Sequence, residues 1–149
     1  MSKLTVTLIS FLLCVASFGS VYAISEEEYT QIQTLIEQEN IRAAHEQLKA
    51  VRSSESKTSA LTQILIGKMY LSLGKPAKAY EHFERATFTS VTVDALAYSG
   101  LAQASLALGN LPEAKEYSDR SLQEDPDLVE AKMIRAQILS DLGKNREAE

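Results

Sequence analysis

Apolar residues return every three or four positions along most of this chain, and each stripe stops at a turn signal. Tyr29, Ile32, Leu35 and Ile36 form the first such stripe. Ser25 sits just before it with Glu28 three residues on, the spacing of a capping box. Glu39-Asn40 reads as a turn, and Ile41, Ala44, Leu48 and Val51 follow as a second stripe. The polar run SSESKTS, residues 53–59, predicts a loop. Leu61, Ile64, Leu65, Met69 and Leu71 mark a third helix, ended by Gly74-Lys75-Pro76. Proline is accepted in a first helical turn, where its missing N–H costs no hydrogen bond. Ala79, Tyr80, Phe83 and Ala86 then face back across a hairpin. Asp94 is the expected cap of the next helix, which carries Leu96, Tyr98, Leu101 and Leu108. After Gly109-Asn110-Leu111-Pro112, the stripe Ala114, Tyr117 and Leu122 returns. Asp125-Pro126-Asp127 stops it, and Asp127 with Glu130 again has capping spacing before a last helix, Val129 to Leu142, carrying Met133, Ile138 and Leu139. No useful length of strand-like alternation occurs, so the expected fold class is all-α.

The stripes are copies of one another. Leu73-Gly74, Leu108-Gly109 and Leu142-Gly143 recur at intervals of 35 and 34 residues. Ala79, Ala114 and Ala148 stand five residues after the glycines, and Gly67, Ala102 and Ala136 seven before. A fixed period of this length is the mark of a repeat solenoid. The small residues have a physical reason: they fall where paired helices cross closely. Enlarging Ala79 or Ala102 to Leu is expected to cost roughly 1–3 kcal/mol by overpacking, read as a lower melting temperature.

The pattern resembles the tetratricopeptide repeat, a helix–turn–helix unit of 34 residues. The unit at 60–94 carries the family's small residue (Gly67), its aromatic (Tyr70), the Leu73-Gly74 end, and Ala79, Phe83 and Ala86. The unit at 95–128 keeps Tyr98, Leu101, Ala102, Gly109, Ala114 and Pro126. It departs at Ser105, Ser118 and Ser121, where Tyr70, Phe83 and Ala86 stood. Residues 24–59 form a degenerate unit, with Ile32 in place of the small residue and only Ala44 and Leu48 fitting the second helix. Residues 129–149 are either a capping helix or a partial unit whose hairpin partner begins at Gly143. The resemblance implies a superhelix of about three units plus that last piece, with stability summed over neighbouring units.

Residues 1–23 look like an export signal. Lys3 supplies a positive start, Leu4 to Phe18 is uncharged and mostly apolar, and Val21-Tyr22-Ala23 is a small-x-small cleavage site. The apolar run falls short of the about 20 residues of a comfortable span, though an uncleaved anchor is the alternative, and the one route to a membrane. Cys14 is the sole cysteine and would leave with the signal, removing thiol, disulfide and zinc–cysteine chemistry. Leu13 before it argues against a lipid anchor. Without Lys3 the chain has 14 Lys and Arg against 20 Asp and Glu, or −6, a balance that argues against a nucleic-acid partner. The expected location is a bacterial periplasm, or secretion after cleavage near Ala23.

Candidate chemistry is sparse. His45 and His82 fall on second helices of different units with no ligand partner at metal spacing, so they read as solvated. Ser99-Gly100 lacks a nucleophile-elbow setting and Gly74-Lys75 lacks the upstream glycine of a phosphate loop. No catalytic residue, metal, cofactor or small-molecule substrate is expected. What remains is a surface. In the family that this chain resembles, first helices line a concave face on which peptides lie. The resemblance places Gln33, Lys68, Gln103 and Gln137 there as a ladder, 35, 35 and 34 residues apart. Tyr29, Ile64, Ser99 and Met133 fall one turn earlier and are expected to supply pockets. Amide and ammonium groups can bond a peptide backbone or its carboxylates. The paired Lys and Asn with which some relatives grip a C-terminal carboxylate are absent, since only Lys68 could serve. The expected function is an exported, non-enzymatic scaffold that takes a protein or peptide segment in its concave groove. Two alternatives remain open: the N-terminal region of a longer envelope protein, and a self-associating array.

Overall fold

The computed structural model describes residues 24–54 and 59–147; the expected export signal, residues 1–23, lies outside them. Seven α-helices and no strand occur among the described residues: α1 (Glu26–Glu37), α2 (Ile41–Ser54), α3 (Ala60–Ser72), α4 (Pro76–Ala86), α5 (Val91–Ala107), α6 (Leu111–Glu124) and α7 (Val129–Glu147). They stack as a repeat solenoid. Each odd helix packs on the even helix that follows it, on the next odd helix and on the even helix before it. None of these helices is long and apolar enough to cross a membrane.

The local chemistry explains the breaks. The Glu28 N–H donates to Ser25 Oγ at 3.2 Å, and the Ser25 N–H donates back to Glu28 Oε2 at 3.0 Å, closing the capping box. These bonds, backbone first, hold the Glu28 carboxyl below its ordinary pKa. The hairpin turns of the three complete units are superposable in hydrogen bonding. Asn40, Lys75 and Asn110 each donate a backbone N–H to the carbonyl five residues back, on Leu35, Tyr70 and Ser105. The preceding residue is left-handed each time: Glu39 at φ 57, Gly74 at φ 65 and Gly109 at φ 80. Glu39 is therefore the first unit's counterpart of the two glycines, and pays a Cβ penalty they avoid.

The core is built on one ring. Phe83 is fully buried, wedged between α3 and α5. A Cβ on Gly67 would fall 2.7 Å from the ring, and one on Gly100 would fall 2.4 Å from it. In the following unit the same niche holds Ser118, and the replaced side chains become satisfied hydroxyls. Ser118 donates to the Lys115 carbonyl at 2.9 Å, Ser121 to the Ala95 carbonyl at 2.7 Å, and Ser105 to Glu113 Oε2 at 2.9 Å. Glu113 also accepts from Tyr80 Oη at 3.1 Å, and Tyr80 shares a 2.8 Å bond with Tyr117 Oη.

Three helix ends differ from expectation. α5 starts at Val91 rather than after Asp94, whose carboxylate instead accepts the Thr89 N–H at 2.9 Å. Asp127 does not cap α7; its carboxylate takes Lys132 Nζ at 3.1 Å. α7 runs past Leu142 and Gly143 as helix to Glu147. A left-handed turn there would forfeit helical hydrogen bonds unless a following helix packed back, and no described segment does so.

Candidate functional site

Four odd helices frame a concavity of about 350 Å³. The end of α1 supplies Ile36, Glu37 and Glu39; α3 supplies Lys68, Leu71 and Ser72; α5 supplies Gln103; α7 supplies Glu130. Every lining residue belongs to an odd helix or the turn that closes α1. The opposite side of α3, with Ile66, Met69 and Tyr70, faces the even helices instead.

Lys68 reaches across this concavity. Its Nζ lies 2.8 Å from Glu130 Oε1, although α3 and α7 make no direct packing contact. The Lys68 side chain is only 13 % exposed, so the pair is partly desolvated and less screened than a surface pair. Below it lies Tyr29, whose hydroxyl is buried without a hydrogen-bond partner. Burial, with Glu130 and then Glu37 nearby, pushes its pKa well above the ordinary tyrosine value. The lining holds three carboxylates, Glu37, Glu39 and Glu130, against one ammonium, Lys68. Its potential is negative.

The eight residues singled out on the sequence divide sharply. Lys68 and Gln103 line the concavity. Gln103 is exposed and has no side-chain bond among the described residues. Gln33 is tied down on its own helix, donating to Glu37 Oε1 at 2.8 Å, and Gln137 donates to Asp141 at 3.1 Å. The ladder is thus not a row of free donors: long polar side chains at i and i+4 satisfy each other first. Tyr29 underlies the concavity through its charge contacts. Met133 is 68 % exposed on α7. Ile64 and Ser99 do not form pockets, because both are buried in the core, Ile64 against the Phe83 cluster. A residue one turn earlier on a first helix points at the neighbouring helix as much as at the groove.

The sequence reading missed Glu37, Glu39 and Glu130. Glu37 has a signal, standing four residues from Gln33, whereas Glu130 reads as the partner of Asp127 at capping spacing. His82 is not simply solvated either. Its Nδ1 lies 2.7 Å from Gln63 Oε1 and its ring stacks on Tyr70 at 5.3 Å. Burial, then Arg85 and Arg52, depress its pKa against the opposing pull of Glu81. Among the described residues no group of three or more His, Cys, Asp or Glu side chains gathers as a metal site.

Residues 64–129 match the family described as tetratricopeptide repeat. No curated protein sequence matches the chain. Among solved structures, the second TPR domain of the human RPAP3 protein, in complex with the HSP70 peptide SGPTIEEVD, superposes with a TM-score of 0.59. It is 20 % identical over 74 % of this chain and 91 % of that one, a likeness of fold.

Proposed function

Residues 64–129 match the tetratricopeptide repeat family, and from that likeness we propose that the chain is an exported, non-enzymatic interaction module taking an extended protein segment in its concave groove. Solenoids of this kind present long concave surfaces for binding. The observation that carries the reading is the concavity itself: four odd helices meet there, leaving Gln103 free and Leu71 beside Lys68 and Glu130. An amide with unused donors and acceptor can bond a peptide backbone.

The charge of the lining sharpens the reading. Three carboxylates facing one lysine favour a segment carrying Lys or Arg and oppose an acidic one. The peptide in the RPAP3 complex contains two Glu and one Asp. This groove suits the reverse polarity. An incoming cation would take Glu130 from Lys68, or fill the space between Glu37 and Glu39. Export rests on the character of residues 1–23, with their apolar stretch before Val21-Tyr22-Ala23.

The test is fluorescence anisotropy of a labelled extended Lys/Arg-rich peptide against its Glu-rich counterpart. Tighter binding of the basic peptide, weakened by Glu37→Gln with Glu39→Gln and blocked by Gln103→Trp, is expected. Equal binding of both peptides, or indifference to Gln103→Trp, would remove the groove from the account. A second reading, self-association, is favoured by Val129, Met133 and Leu139, all more than half exposed on α7. Sedimentation over a concentration series separates it from a monomeric binder.

A further inference from the structure

The even helices carry a second cleft with the opposite charge. It lies between α2 and α4, above α3, with a volume of about 340 Å³. Leu48, Ile66 and Met69 make its apolar floor, all nearly fully buried. Tyr70 closes one side, with His82 stacked on its ring and Lys78 Nζ 5.7 Å from the ring centre. His45, Lys49 and Arg52 line the α2 side, and among the described residues no carboxylate lines the cleft.

We propose that this cleft docks an acidic segment of a protein partner, seating an apolar side chain on Leu48, Ile66 and Met69 and carboxylates on Lys49 and Arg52. Three observations lead there. First, the cations are uncommitted. Neither Lys49 nor Arg52 has a hydrogen bond or ion pair among the described residues, while the nearby carboxylates are drawn elsewhere, Glu46 toward His45 and Glu81 toward Arg85. In a chain of net charge −5 this cleft is lined by two cations unpaired among the described residues, with Lys78 beside Tyr70, so an acidic partner is steered to it and repelled from the odd-helix groove. Second, the two cations stand side by side rather than converging. Lys49 and Arg52 sit at i and i+3 on α2, with His45 one turn before Lys49; the two cations are about 4.5 Å apart along the axis at 1.5 Å rise per residue. Such a pair meets charges spaced along a segment, whereas a single small anion needs converging donors. Third, the floor is apolar, and a volume near the low end of ligand sites, roughly 300–1,000 Å³, suits one large side chain. Charge and floor together demand a carboxylate next to an apolar residue.

The odd-helix groove and this cleft lie on opposite sides of α3, so the module would hold two partners of opposite charge at once. The cleft stands independently of the groove.

The experiment uses the full chain and a labelled peptide in which Leu-Phe is flanked by Asp-Glu and Glu-Asp. Saturable anisotropy is expected, weakened at least about tenfold by Lys49→Glu with Arg52→Glu and weakened by added salt. Both substitutions are on exposed positions, and circular dichroism checks that the helices persist. The same peptide with Asn and Gln in place of its acids should not bind. No saturable binding up to about 1 mM would overturn the proposal. So would unchanged affinity in the charge-reversed variant, or tighter binding of an oligothymidine at the same residues.

Discussion

Replacing Gly100 by alanine tests the packing on which the stack depends. In a free helix the change is favourable, because glycine in a helix interior costs about 0.5–1 kcal/mol relative to alanine. Here the new Cβ would fall 2.4 Å from Phe83 Cδ1 and Cε1, more than 1 Å inside the roughly 3.5–4.0 Å of an optimal carbon contact. The ring cannot retreat. Its other side faces Gly67, where a Cβ would already sit 2.7 Å away. Phe83 has no solvent exposure through which to escape. Relief must therefore come from α3 and α5 moving apart, an overpacking cost of about 1–3 kcal/mol. The net expectation is a loss of about 1–2 kcal/mol, or roughly 4 °C in melting temperature per kcal/mol for a domain of this size. Gly143→Ala is the control: nothing lies within 4 Å of its Cβ position, so it should be neutral or stabilising. Urea titration followed by far-ultraviolet circular dichroism reads both. In a Phe83→Leu background the penalty of Gly100→Ala should shrink, giving a coupling of about 1 kcal/mol in the double-mutant cycle. A Gly100→Ala protein as stable as the parent would refute the wedge.

Glu39→Gly should stabilise the chain by about 1 kcal/mol, since it removes a left-handed non-glycine residue where the other units use glycine; a lower urea midpoint would contradict the shared turn geometry. Ser25→Ala should cost about 1 kcal/mol through loss of the cap, and the Glu28 carboxyl should return to its ordinary titration range by NMR. Tyr80 ionises late because burial and its bonds to Tyr117 and Glu113 favour the neutral hydroxyl. The unfolded chain loses that proton first, so stability falls as pH rises past about 10, and Tyr80→Phe should flatten part of that fall in urea midpoints measured across alkaline pH. Tyr29, raised by burial, should leave the remainder.

Periodicity carried the fold into view, because it is a property of positions rather than of contacts. Leu73-Gly74 and Leu108-Gly109 announced turns that the backbone makes with left-handed φ. The same turn at Glu39 was legible from Glu39-Asn40 although glycine is absent. Gly143 shows the limit of that signal: a Leu-Gly pair permits the turn, and only a helix packing back selects it. Groove residues were harder to read. The resemblance puts Lys68 and Gln103 on first helices, and both line the concavity, yet it could not say that Lys68 is engaged by Glu130, 62 residues away. Nor could it separate Ser99, buried, from Gln103, exposed, on one helix. That difference is set by how closely α5 approaches its neighbours, which depends on Phe83, Gly67 and Gly100 together.

The bond between Lys68 and Glu130 joins first helices that are two units apart and otherwise do not touch. In a solenoid whose parts meet only their immediate neighbours, curvature is soft and each end frays by itself. A tie drawn across the arc changes this, acting like the string of a bow. It favours one curvature of the arc, and it couples the second unit to the last helix through one ion pair whose strength varies with the surrounding electrolyte.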